Sequence, residues 1–151
     1  MTVTAPVDDE VLRDLVVNAG DAVIVADPAG LIQFWNGAAE AMFGHSREAA
    51  VGESLDLIIP ERLRERHWDG YRRTMASGET KYGRRTLAVP ALRADGTRIS
   101  IEFTVALLRD DAGGVRAIAA LMRDVTARFE QERALRRRVD ELERELDALR
   151  S

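Results

Sequence analysis

Residues Ile99–Leu107, ISIEFTVAL, alternate without a break: Ile99, Ile101, Phe103, Val105 and Leu107 fall on one side, and Ser100, Glu102 and Thr104 on the other. A period of two is that of a β-strand in a sheet with one buried and one wetter face. The flanks repeat the theme. Upstream, Leu87 to Leu92 makes a strand that ends in the turn Ala94-Asp95-Gly96. Downstream, the turn Asp110-Asp111-Ala112-Gly113-Gly114 leads into a strand from Val115 to Met122. Glycine and aspartate at both junctions are the residues that tight turns select, so three successive antiparallel strands follow.

Near the amino end, Ala22–Ala26 and Leu31–Trp35 form a further hairpin around Asp27-Pro28-Ala29-Gly30, with proline where φ is fixed and glycine closing the turn. About five strands thus enclose a helical middle. In that middle, Asn36 caps a short helix carrying Ala38, Ala39, Ala41, Met42 and Phe43, and Gly44 stops it. Ser46 opens a brief turn or helix through Ala50, followed by the apolar patch Leu55, Leu57, Ile58 and Ile59. Pro60 stands at the first turn of a longer helix predicted to run to about Ala76, closed by Ser77-Gly78. Ahead of the first strand, Asp8, Asp9 and Glu10 precede Val11, Leu12, Leu15, Val16 and Ala19, an amphipathic helix with acids at its favourable end. The expected class is α+β, with helices covering one sheet face.

The last segment, Asp124 to Arg150, follows a heptad instead. With Val139 and Leu146 at a, Leu135, Leu142 and Leu149 occupy d. Arg138 then faces Glu143, and Glu145 faces Arg150, of a parallel partner, so a homodimeric coiled coil in register is expected. The seam degrades upstream, where Glu132 falls at a and Arg128 at d. The competing reading is a single amphipathic helix folded back on the core. The predicted organisation is an N-terminal amphipathic helix over 1–20, a core domain over 21–126 and a C-terminal coiled-coil helix over 127–151.

The bulk properties narrow the function. The 151 residues suit one core with an appendage, and a net charge of −4 gives no reason to expect nucleic acid as a partner. Zero cysteines exclude disulfides, thiolate metal sites and thiol chemistry. The N-terminal residues MTVTAPVDDEVL carry neither a basic leader nor a long apolar run, and no window reaches about 18 apolar residues. A cytoplasmic product without direct membrane insertion is expected. No arrangement of acids, histidines or serines makes a catalytic constellation, and Gly113-Gly114 signals a hairpin rather than a phosphate loop. Any enzymatic output is expected in another domain or partner.

Residues 11 to 130 closely resemble a PAS domain. The resemblance is carried by Asp21-Ala22-Val23-Ile24-Val25-Ala26-Asp27 with Gly30, by Asn36-Gly37-Ala38-Ala39-Glu40-Ala41-Met42-Phe43-Gly44, by Arg93-Ala94-Asp95-Gly96, and by Arg123-Asp124-Val125-Thr126. It implies a five-stranded antiparallel sheet with helices over one face, enclosing a pocket for heme, flavin or a small metabolite, or one filled by side chains. It also implies a sensory or interaction module. Flavin held through a cysteine is excluded, whereas noncovalent flavin is not.

The stretch Arg64–Arg73, RERHWDGYRR, holds one of only two histidines. His67 and Tyr71 share a helix face, which Leu63 extends toward the core, while Arg64, Glu65, Arg66 and Arg72 supply much of the wet side. One imidazole suffices to ligate heme iron, whose other ligand atoms come from the macrocycle. The segment is similar to the heme-binding helix of oxygen-sensing PAS domains of the FixL type. That resemblance implies His67 as iron ligand for heme b, Arg73 as partner of a propionate and Tyr71 as the aromatic residue between them. It also places Leu87 where those sensors carry a distal arginine. Leucine offers no donor to oxygen, so a register shift bringing Arg84 or Arg85 there, or a preference for CO, NO or redox state, is the corresponding expectation. His45 reads as a surface or capping residue, Trp35 and Trp68 as packing anchors, and Asn36 and Asp27 as local caps. The alternatives are a cofactor-free dimerisation or docking module, and a receptor for a small metabolite such as an apolar acid facing Arg73.

Overall fold

A computed structural model describes residues 5–80 and 87–151. The five strands, β1 (Ala22–Ala26), β2 (Ile32–Trp35), β3 (Leu87–Leu92), β4 (Arg98–Arg109) and β5 (Val115–Asp124), form one antiparallel sheet in the order β2-β1-β5-β4-β3. The alternation in ISIEFTVAL does what its period requires. Phe103 pairs with Met122 and Val105 with Ala120, and β1 continues both rows by pairing Ala22 with Met122 and Ile24 with Ala120. One face is thereby apolar across three strands. Pro90 cannot donate to a ladder, and it sits in β3, an edge strand where that donor is not needed.

Five α-helices lie among the described residues: α1 (Asp9–Asn18), α2 (Gly37–Phe43), α3 (Arg47–Ala50), α4 (Arg64–Ser77) and α5 (Thr126–Arg150). The cap predicted at Asn36 is present, and Asp8 and Ser46 cap as well, the three side chains accepting from the first-turn amides of α2, α1 and α3. Gly44 closes α2 and Gly78 closes α4, each in the left-handed conformation. The last strand runs on to Asp124 and the C-terminal helix starts at Thr126, and two further boundaries differ from the sequence expectation for a visible reason. The strand expected from Leu31 begins at Ile32, because Leu31 instead makes an isolated bridge to Ser54. The helix expected from Pro60 begins at Arg64. Pro60 is extended, with ψ 138°, and a 3-10 turn over Glu61–Leu63 separates it from α4.

Asn36 is fully buried and does more than cap a helix. Its Oδ1 accepts from Ala39 and from the Val23 amide, while Nδ2 donates to the carbonyls of Val16 and Asp21. One amide therefore ties α1, the start of β1 and α2 together. Trp35 is likewise fully buried, donates to the His45 carbonyl and packs on Phe43 at 5.5 Å. Trp35 holds the packing role expected of it, whereas His45, expected as a surface or capping residue, is half-buried with its ring edge-on to Trp35 at 6.4 Å.

The outgoing helix is fastened at its root. Thr126 accepts from the Ser100 amide through Oγ1 and donates to Asp124, while the Val125 amide donates to the Ser100 carbonyl. Arg128 pairs with Glu102 of β4 at 2.8 Å, which explains the missing apolar seam at this turn: it rests on the sheet. Beyond it α5 does not fold back. None of its residues is buried, and Leu135, Val139, Leu142, Leu146 and Leu149 are all exposed.

Candidate functional site

The apolar sheet face and α4 enclose a cavity of about 1030 Å³. Its floor is the β-sheet side, with Ile24, Ala26, Ile101, Phe103, Ala120 and Met122 among the lining groups. Its roof is one stripe of the helical segment: Leu63, His67, Gly70, Thr74 and Ser77 recur at spacings of four and three, as one helix face must. Small residues make the room. Ala26 and Ala120 present only a methyl, and a Cβ built at Gly70 meets nothing within 4 Å.

His67 lines this cavity. Its ring packs edge-on against Trp68 at 4.7 Å and lies 5.8 Å from the Tyr71 ring. Nδ1 is sealed from solvent with no hydrogen-bond partner, the one such side-chain atom among the described residues. Burial lowers the imidazole pKa, partly opposed by the charge of Asp56. The ring is consequently neutral near pH 7, the state a metal ligand requires. Leaving a ring nitrogen buried and unbonded costs roughly 1–3 kcal/mol.

The neighbours of His67 are held by specific bonds. Tyr71 is buried and donates its hydroxyl to the Asp27 carbonyl in the β1–β2 turn, and burial, followed by the Asp27 charge, pushes its pKa up to about 12. Asp27 also accepts from the Ala29 and Leu31 amides, the capping role expected of it. Trp68 donates to Asp56 at 2.8 Å and lies over Gly30, where an added Cβ would stand 2.2 Å from its ring. This packing role fits the anchor expected of Trp68. His67, Tyr71 and Trp68 thus form one aromatic cluster pinned at both ends.

Arg73 lines the cavity and is exposed, with no hydrogen bond or ion pair among the described residues. Leu87 opens β3 opposite Phe103; its side chain, like Arg84 and Arg85, lies outside the described residues. Sequence reasoning missed two members of the lining. Arg62 and Arg66 reach the cavity although both are exposed, and Arg66 had been placed wholly on the wet side. Their spacing to Arg73 was the available signal, since residues 66 and 73 are two helical turns apart.

Residues 10–125 match the family model described as the PAS fold, and the chain belongs to the PAS family. It is a PAS sensory domain. Three relatives are similar along most of its length. An uncharacterized protein of Azorhizobium caulinodans is 44% identical over 132 residues, covering 87% of this chain and 18% of that protein. The sensor protein FixL of Bradyrhizobium diazoefficiens is 31% identical over 138 residues, 89% of this chain and 26% of the relative. The oxygen sensor protein DosP of Escherichia coli is 33% identical over 116 residues, 75% of this chain and 14% of the relative. The chain therefore spans about a quarter or less of each relative. Among solved structures, a PAS domain from Colwellia psychrerythraea matches with a TM-score of 0.69 at 21% identity, covering 78% of this chain and 97% of that one. An RNA-binding light-oxygen-voltage receptor matches at 0.73 and 21% identity, covering 92% and 41%. These structural matches establish the fold. No described helix is long and apolar enough to cross a membrane.

Proposed function

We propose that the cavity holds heme b through His67 and that the domain senses a diatomic gas or a redox change, relayed through a dimeric α5. The observation that carries this reading is the His67 ring: lining the cavity, with its pKa lowered by burial and with Nδ1 buried and unpaired. His67 would hold the iron through a ring nitrogen, and that bond would offset the cost of burying the ring. The similarity to a sensor protein and to an oxygen sensor protein supports the same reading. A volume near 1030 Å³, at the upper end of ordinary ligand pockets, weighs against the cofactor-free module closed by side chains.

Heme iron supplies a site for a diatomic ligand and a one-electron redox centre. The chain's residues do the rest. His67 offers a neutral nitrogen; Trp68 and Tyr71 fix the ring from two sides; Ile24, Phe103 and Met122 exclude water; Arg73 offers a guanidinium to a carboxylate. Displacement of His67 would move α4 against the sheet whose β5 strand leads directly into α5. A ligand shifts this equilibrium only by its differential affinity for two helix arrangements. Self-association through Leu135, Val139, Leu142, Leu146 and Leu149 would cover an apolar stripe that is otherwise wet.

Absorbance of protein freshly purified from heme-supplied cells tests the reading. A stoichiometric Soret band that disappears in a folded His67→Ala variant is expected. A wild-type protein without the band, or a band indifferent to His67, would overturn it.

A further inference from the structure

Five arginines of the segment 62–73 divide by environment. Arg64 bonds to the Ile59 and Asp56 carbonyls and lies 3.8 Å from the Asp56 carboxylate, and Arg72 pairs with Asp69 at 2.6 Å. Neither lines the cavity. Arg62, Arg66 and Arg73 do line it, and none has a hydrogen bond or ion pair among the described residues. The arginines away from the cavity are thus paired, and those at its rim are not, among the described residues. Glu79 is the single acid among the lining groups named, so three arginines meet one carboxylate beside apolar walls.

The three are also set apart. Arg66 and Arg73 lie on one helix face, seven residues and about 10 Å apart along the axis, while Arg62 precedes Arg66 by one turn. We propose that Arg66 with Arg62 forms a second anion anchor, distinct from Arg73, so that the cavity selects an apolar body bearing two carboxylates along one edge. This rests on the reading of the cavity as a ligand chamber and extends it from one carboxylate contact to two. A guanidinium at an apolar rim suits that task because its planar fork binds a carboxylate bidentately and remains charged at every relevant pH. A ligand with one acid leaves one anchor idle. A ligand with none forfeits both.

The test uses the full chain, freed of bound pigment, with iron-free protoporphyrin IX and its dimethyl ester as probes. Titration by fluorescence reads affinity without requiring His67 to hold iron. The free diacid should bind more tightly than the diester, with a preference that falls as salt is raised. Arg62→Ala/Arg66→Ala should lose roughly five- to tenfold for the diacid and nothing for the diester, the magnitude expected of a partly exposed charge-assisted pair. Arg73→Ala should behave alike, and the triple variant should bind diacid and diester equally. Arg72→Ala, ion-paired away from the cavity, is the control and should change neither affinity.

The proposal is overturned if the double variant binds the diacid as wild type does, or if it loses the diester equally. Discrimination between diacid and diester in a protein that shows no His67-dependent Soret band would sink the heme reading and leave the two anchors standing. A His67-dependent Soret protein whose porphyrin affinity ignores Arg62 and Arg66 would do the reverse.

Discussion

Replacing Gly30 with alanine tests whether the aromatic cluster is rigid. Gly30 has φ 86°, a conformation that costs an L-residue about 1–2 kcal/mol. It also lies under Trp68, and a Cβ would come within 2.2 Å and 2.3 Å of two ring carbons. The ring cannot simply swing aside, being bonded to Asp56 and packed at 4.7 Å on His67 and 5.2 Å on Tyr71. Overpacking of this kind costs roughly 1–3 kcal/mol more, so Gly30→Ala should destabilise by about 2–5 kcal/mol in all. Gly96 provides the internal reference. Its φ is 84°, but nothing lies within 4 Å of its added Cβ, so Gly96→Ala should show only the backbone cost of about 1–2 kcal/mol. Urea unfolding followed by circular dichroism measures both. Pairing Gly30→Ala with Trp68→Ala should recover part of the loss, a coupling of about 1 kcal/mol or more between touching residues. Equal destabilisation by the two glycine variants, with no coupling to Trp68, would refute the claim that Trp68 is held in place.

Gly70→Ala should raise stability by about 0.5–1 kcal/mol, since glycine is a poor mid-helix residue and the new methyl meets no protein atom; the same methyl enters the cavity and should weaken heme or porphyrin binding, seen in parallel thermal melts and titrations. His67 should make stability depend on pH. Its folded pKa lies below the unfolded value of about 6.5, so the unfolded chain takes up the proton first and stability falls as pH drops from about 6.5 to the folded pKa. Urea midpoints at about pH 8 and about pH 5.5 should converge in His67→Gln, and an unchanged pH dependence would assign it to other groups. With two tyrosines in the chain, ultraviolet titration should show one phenol, lost in Tyr71→Phe, ionising only near pH 12. Removing residues 128 to 151 should abolish self-association in sedimentation, whereas an unchanged dimer would move the interface to the PAS core or α1.

Much of this architecture was legible because local chemistry enforces it. The alternation of Ile99 to Leu107 named both the strand and its buried face, and Asp8, Asn36 and Ser46 declared three helix starts. The start of α4 was misjudged because proline is compatible with a first helical turn and with the extended backbone it adopts at Pro60. His67, Tyr71 and Arg73 were singled out from one helix, and all three line the same cavity. The remainder depended on distant chain segments. No spacing rule foretells that Asn36 would bond to Val16, or that Gly30 would lie beneath Trp68. Arg62 and Arg66 escaped notice because a charged residue can lie at a cavity rim and in solvent at once.

The bolting of Thr126 and Arg128 to β4 gives α5 a stiff root without an intervening flexible linker. A 25-residue helix extends about 37 Å. A ten-degree tilt where it leaves the sheet would sweep its tip sideways by about 6 Å. The rod is therefore a lever: a small rotation at its root becomes a sideways displacement of several ångströms at its far end.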